Sequence, residues 1–214
     1  MPKSRAPKPG VRSGRSELRG TQQPTADGRV QRGARNRAAI VDAMFELVGT
    51  GVLEPTAEQV ATRAGVGLRS VFRHFSDMEQ LYIEVDARLR LEVEPILAAG
   101  EPRGALEART KELLQRRVRL FERIAPYKRS ANLSRQRSPF LNKTHRSLVV
   151  VLRDHLRRWL PELADAPREA CDAIELATSF EAWDRLRGDQ GLPAARAQAA
   201  VEATLAALLG LRNR

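Results

Sequence analysis

From about Gln31 to Val48 apolar positions recur at helical spacing, with Ile40, Ala43, Met44 and Leu47 standing at i, i+3, i+4 and i+7. That stripe predicts one amphipathic helix, ended by Gly49 and Gly51. Between Thr56 and Phe75 the pattern shortens into two small helices around a glycine. Thr56 and Gln59 have the spacing of a capping box that starts the first, and Val60, Ala61 and Ala64 form its apolar face. Gly65 stands where a helix stops by turning left-handed, a conformation glycine adopts without steric cost. Ala61, Gly65 and Val71 supply what two steeply crossed helices need: a small residue at the crossing, glycine in the turn and a branched anchor on the second helix. The spacing predicts a helix-turn-helix with Leu68, Arg69, Ser70 and Arg73 facing outward and Phe75 packed on the first helix.

The rest of the chain also reads as helices. Ser76 and Glu79 suggest a second capping box, opening a helix through Leu81, Tyr82, Val85, Leu89 and Val93 that Pro95 kinks or ends near Glu94. Residues 103–124 carry Leu106, Leu113, Leu114, Val118 and Phe121 and should end at Pro126. A short helix is expected from Tyr127 to Gln136, then one over 140–160, and two more over 168–187 and 194–210. Neither a period-2 strand nor an internal repeat occurs, so the fold class is all-α.

Charge changes the picture at one end. The 214 residues hold 37 Lys and Arg against 26 Asp and Glu, a net charge of +11, which points to an anionic partner. Residues 1–35 hold nine basic and two acidic residues, so +7 of the excess lies there. Residues 1–29 contain Pro2, Pro7, Pro9 and Pro24 and almost no large apolar side chain, which predicts a disordered basic arm. Such an arm is either a solvated tail or a segment that follows phosphates or enters a minor groove. The single cysteine, Cys171, rules out an internal disulfide and suits a reducing cytoplasm, where it reads as a buried inert thiol. No apolar run nears the roughly 18–20 residues of a membrane span, and no signal-peptide core opens the chain, so a cytoplasmic protein without membrane contact is expected.

With one helix before it and S-D-M-E-Q-L after it, the helix-turn-helix resembles that of the tetracycline-repressor (TetR) family of transcriptional regulators. The likeness covers about residues 34–82, including I40-V41-D42-A43, T56-A57-E58-Q59-V60-A61, A64-G65-V66 and V71-F72-R73-H74-F75. F180-E181-A182-W183-D184-R185-L186 before the last helix also looks typical. Beyond the arm (1–29), the resemblance implies two domains, a DNA-binding domain (30–76) and an effector-binding and dimerisation domain (77–214). It further implies a homodimer, each subunit reading half of a near-palindromic operator in double-stranded DNA. By position Leu68, Arg69, Ser70 and Arg73 would face bases, while Thr56, Phe72 and His74 would lie along phosphates. Three positions depart from the family's pattern. Gly67 stands where Ser is frequent, Phe72 where Tyr is usual and Met78 where Lys is usual, each removing a phosphate contact. Arg69, Arg73 and the arm could restore that affinity electrostatically.

Arg69 is the strongest candidate base reader, because its fork matches guanine O6 and N7; a phosphate contact is the alternative. Leu68 suits a thymine methyl or a contact within the protein. His74 suits a phosphate donor or a helix-end cap better than a titrating switch. Phe121, Tyr127, Asn132, Arg135, Phe140, His145 and Trp159 mix aromatic and polar character and are candidates for a pocket holding a small, partly apolar effector, each also readable as ordinary core or surface. Arg116-Arg117 and Arg157-Arg158 read as solvated faces. Ile174, Ala177, Phe180 and Trp183, with Val201, Thr204, Leu205 and Leu208, form stripes suited to a dimeric four-helix bundle, or else to the subunit's own core.

The three histidines, His74, His145 and His155, have no metal-ligand spacing, and neither a phosphate loop nor a nucleophile motif occurs. No enzyme, metal or cofactor is expected. Three function classes remain: a repressor released by a small effector, a DNA-binding regulator without one, and a non-specific architectural DNA binder.

Overall fold

The capping box at Thr56 forms as its residue types require. In the computed structural model, which describes residues 26–210, Gln59 N–H donates to Thr56 Oγ1 at 3.2 Å and Thr56 N–H to Gln59 Oε1 at 2.9 Å. This starts α2 (Ala57–Ala64), and Gly65 ends it at φ 65°, ψ 30°. Helix α3 (Leu68–His74) follows after that turn. Val60, Ala61, Val71 and Phe75 are buried against Ile40, Met44 and Val48 of α1 (Ala26–Gly49). Helix α1 begins earlier than its apolar stripe. Residues 26–29, expected in the arm, open this helix, and residues 1–25 lie outside the described residues.

Helix α4 (Met78–Ala98) corrects two expectations. Its cap is Asp77 rather than Ser76: Asp77 Oδ1 accepts from Gln80 N–H at 2.9 Å, and hydrogen bonds hold that carboxylate below its usual pKa. Glu79, expected in the box, instead accepts from the hydroxyl of Ser138. Pro95 does not end the helix, which runs on for one more turn. Pro126 likewise stays inside a single long helix, α5 (Leu106–Ser134), where two helices were expected. Proline removes one ladder bond. Here Ile124, Tyr127 and Ser130 are buried on either side of the gap, so packing carries the helix through it. Burial of this kind, rather than propensity, supplies most helical stability.

Helix α6 (Pro139–Trp159) leads through a 3₁₀ turn (Pro161–Ala164) to α7 (Arg168–Ala177). The expected helix over 168–187 is broken. Ser179 caps a new start, α8 (Phe180–Asp184), which relaxes into a π turn (Arg185–Asp189) before α9 (Ala194–Leu208). Among the described residues the chain is all-α. One apolar core joins α1–α3 to Leu81, Val85 and Tyr127, and two others lie among α5–α9.

Arg117 explains the break. Its guanidinium is fully buried and donates to the carbonyls of Thr178 and, at 2.5 Å, of Leu152. One side chain of α5 thus holds both α6 and the α7–α8 junction, and it satisfies the carbonyl of Thr178, which the end of α7 leaves without a helical partner. Arg116 is also buried, over the Trp159 ring at 5.0 Å. This pair is core, not the solvated face its sequence suggested, whereas Arg157 and Arg158 are exposed.

Beside these cations His155 is buried and neutral, its pKa lowered to about 4 by burial first and then by Arg117 and Arg116. The native state therefore binds fewer protons than the unfolded chain between pH 6.5 and about 4, so stability rises with pH across that window and is lost on acidification. Guanidinium unfolding should show about 2 kcal/mol less stability from this group at pH 5 than at pH 7. A His155→Phe variant should lose most of that difference.

Candidate nucleic-acid interface and ligand cavity

The helix-turn-helix presents one continuous outward face. Gly67, Leu68, Arg69, Phe72 and Arg73 are exposed and Ser70 is half-buried, with Arg73 Nη2 3.4 Å from Ser70 Oγ. Phe72 is 52 % exposed, and part of Leu68 on the same short helix is exposed too. Thr56 is exposed at the start of α2, its hydroxyl already committed to the cap. Gly67 opens α3 without a side-chain cap. His74 is half-buried, with its Nε2 buried and unpartnered. Burial, then Arg73 and Arg37, lower its pKa.

Arg37 was not singled out in the sequence. From α1 its guanidinium donates to His74 O at 2.8 Å and to Glu84 at 2.7 Å, and it lies 4.3 Å from the centre of the Phe75 ring. It closes the C-terminal end of α3 and ties it to both α1 and α4. A cation at that helix end is electrostatically favoured. Only its i−3 spacing to Ile40 on the first helix marks it as core-adjacent.

A cavity of about 180 Å³ lies between α4 and α6 over the middle of α5. Leu120, Ile124 and Tyr127 form its floor; Val85, Leu89 and Val93 form one wall and Leu141, Leu148 and Val151 the other. Of the expected pocket residues Tyr127, Asn132, Arg135 and His145 line it. Phe121, Phe140 and Trp159 do not. Phe121 packs edge-on to Phe180, with ring centroids 5.8 Å apart, and Trp159 is fully buried in a separate core. The α4 wall was not among the candidates because Val85, Leu89 and Val93 are aliphatic, and the candidates were chosen for mixed aromatic and polar character. Lys128 was missed because an isolated lysine on a helix carries no signal.

No protein-family model matches the chain, and no curated protein matches it in sequence. Solved structures match over most of its length, two of them transcriptional regulators by description. A transcriptional regulator from Rhodococcus sp. Rha1 aligns at TM-score 0.61 and 19 % identity, covering 83 % of this chain and 96 % of its own. A protein assigned to the TetR family of transcriptional regulators, from Mesorhizobium loti MAFF303099, aligns at TM-score 0.58 and 18 % identity, covering 84 % and 98 %. The fold is that of a TetR-type regulator.

Within this TetR-type fold the expected dimer residues divide. Ile174, Phe180, Trp183, Val201 and Leu205 are buried in the subunit's own cores, because α8 and α9 pack on α5, and α7 on α9, with their large side chains inward. That corrects their assignment to an outer seam. Thr204 and Leu208 face outward, Ala177 is half-buried, and Leu176, not singled out before, is 68 % exposed. No helix among the described residues is long and apolar enough to cross a membrane, and no group of metal-binding side chains occurs among them.

Tyr127 joins the two regions. Its ring lines the cavity and lies 4.7 Å from that of Phe45, and its hydroxyl donates to Phe45 O at 3.2 Å. Gly49 makes room for it, since a Cβ there would stand 2.9 Å from the Tyr127 hydroxyl. Tyr127→Phe should lower stability by about 1 kcal/mol in urea unfolding, keeping the ring but losing the bond. Gly49→Ala should cost more by displacing the ring as well.

Proposed function

We propose that the chain is a sequence-specific DNA-binding regulator that acts as a homodimer and leaves its operator when a small, partly apolar effector enters the cavity. The single observation carrying this reading is the pairing, through Tyr127, of an exposed basic α3 face with an apolar cavity. Leu68, Arg69, Ser70 and Arg73 are the proposed base-facing residues, with Phe72 and Thr56 toward the backbone. Arg37, by fixing the end of α3, sets the angle at which that helix meets the groove.

A dimer must hold its two α3 helices about one DNA turn apart, roughly 34–36 Å, to enter successive major grooves. A ligand that wedges α4 from α6 and shifts Tyr127 would alter that separation through α1. Differential affinity of about 3 kcal/mol between the two states shifts the equilibrium by more than a hundredfold. The same residues suit a repressor, whose operator is covered until the effector binds.

The DNA test is binding to an operator selected from random duplexes. Arg69→Ala should weaken specific binding by about 1–3 kcal/mol and relax preference at one base position. Equal affinity for selected and scrambled duplexes would instead favour an architectural binder. The dimer is proposed to use the outward faces of α7 and α9. Light scattering should give twice the chain mass, and Leu176→Glu with Leu208→Glu should reduce it to one chain while the helical signal persists.

A further inference from the structure

We propose, resting on the reading of this cavity as the effector site, that its occupant is a small carboxylic acid with a compact apolar body. Its carboxylate sits between Lys128, Arg135 and His145.

The argument begins with the face of α5 turned to the cavity. Leu120, Ile124 and Tyr127 are apolar or aromatic; the next turns present Lys128, Asn132 and Arg135, spaced four and three residues apart and so on one side of the helix. Across from them α6 contributes Leu148 at the apolar end and His145 with Thr144 at the polar end. The cavity is therefore amphipathic along its length, with its cations gathered at one end.

Those cations lack an anion of their own. The Lys128 ammonium donates to His145 Nδ1 at 2.8 Å, its one hydrogen bond among the described residues, and its other neighbour is the Phe180 ring at 5.6 Å. Accepting at Nδ1 leaves the imidazole neutral with its proton on Nε2. The charged groups facing this pair are Arg135 on α5, Arg146 on α6, and Glu181 and Asp184 on α8. Of the two acids, Asp184 is already held by Arg129 at 2.7 Å, and Glu181, half exposed, stays 3.9 Å from His145. Burial first, then the neighbouring cations, push the pKa of His145 down; Lys128 is lowered chiefly by burial. At the other end Arg90 and Asp86 neutralise each other at 2.7 Å. Lys128 is half-buried, and an ammonium partly withdrawn from water without a carboxylate of its own carries a cost that an incoming carboxylate relieves.

Size narrows the body. An apolar cavity of about 150 Å³ accepts one benzene, so about 180 Å³ suits a single ring or a short chain. One carboxylate matches an end where Glu181 already lies near; a phosphate dianion there would face more repulsion and a larger desolvation penalty.

The test is calorimetric titration of the purified full-length protein with two matched pairs, benzoate against benzamide and hexanoate against hexanamide, each followed by release of bound DNA. The acid of at least one pair should bind ten times or more tighter than its amide and release DNA. Its heat should vary with buffer ionisation enthalpy in the sense of proton uptake near pH 7, and the amide's should not. Lys128→Met should collapse the acid-to-amide ratio. Should that variant fail to fold, Arg135→Gln takes its place with a smaller collapse expected. If the amides bind as tightly as the acids and release DNA, the carboxylate assignment is overturned while the cavity stands as the effector site. If no member of either pair binds, the assignment and the effector reading of this cavity both fall.

Discussion

Tyr127 belongs to two regions at once, and the arrangement of the whole chain follows from that. Its ring completes the core under the helix-turn-helix, its hydroxyl closes on the backbone of α1, and its other side faces the cavity. A three-helix unit of this size buries little on its own. Leu81 and Val85 of α4 and Tyr127 of α5 supply the missing cover. The helix-turn-helix unit is thus completed by side chains of α4 and α5. The cavity floor touches α1 through the Tyr127 side chain, and α1 touches the end of α3 through Arg37, two turns away.

The reading domain was largely legible in the sequence because its devices are local. A capping box, a left-handed glycine and an i, i+3, i+4 stripe each act within a few residues, and all three stand where Thr56, Gly65 and Ile40 announced them. The C-terminal half was less legible because long-range burial decides it. Pro95 and Pro126 are breakers by local rule, yet both lie inside helices whose flanks are packed. Asp77 displaced Ser76 as the cap because the two residues compete one position apart, and the spacing to Gln80 serves Asp77 as well as the spacing to Glu79 serves Ser76. Among the candidate pocket residues, Tyr127, Asn132, Arg135 and His145 meet while Phe121 and Trp159 do not. Aromatic character alone does not distinguish a cavity wall from a filled core.

The outer seam shows the same limit from the other side. A stripe such as Ile174, Phe180, Trp183 reports only that a face is covered, not by what. Single-chain burial assigns it to α5 and leaves the smaller residues of α9, with Leu176 and Leu208, outside. Cations behave similarly: Arg116 and Arg117 are adjacent in the sequence and look solvated, but Arg117 is drawn inward by two distant backbone carbonyls and Arg116 lies over the Trp159 ring while pairing with Glu112 on its own helix.

Arg117 has a kinetic consequence as well. Its two acceptors lie 35 and 61 residues away along the chain, whereas α2 and α3 close on each other across a single turn. Loop closure must precede the reward of a distant contact, so contacts of large sequence separation form late. Until α6 and the α7–α8 junction have both returned to α5, the guanidinium stays in water and that part of the core stays open. The helix-turn-helix closes through neighbours in the sequence, whereas the bundle beyond it rests on contacts that span tens of residues, those of Arg117 among them.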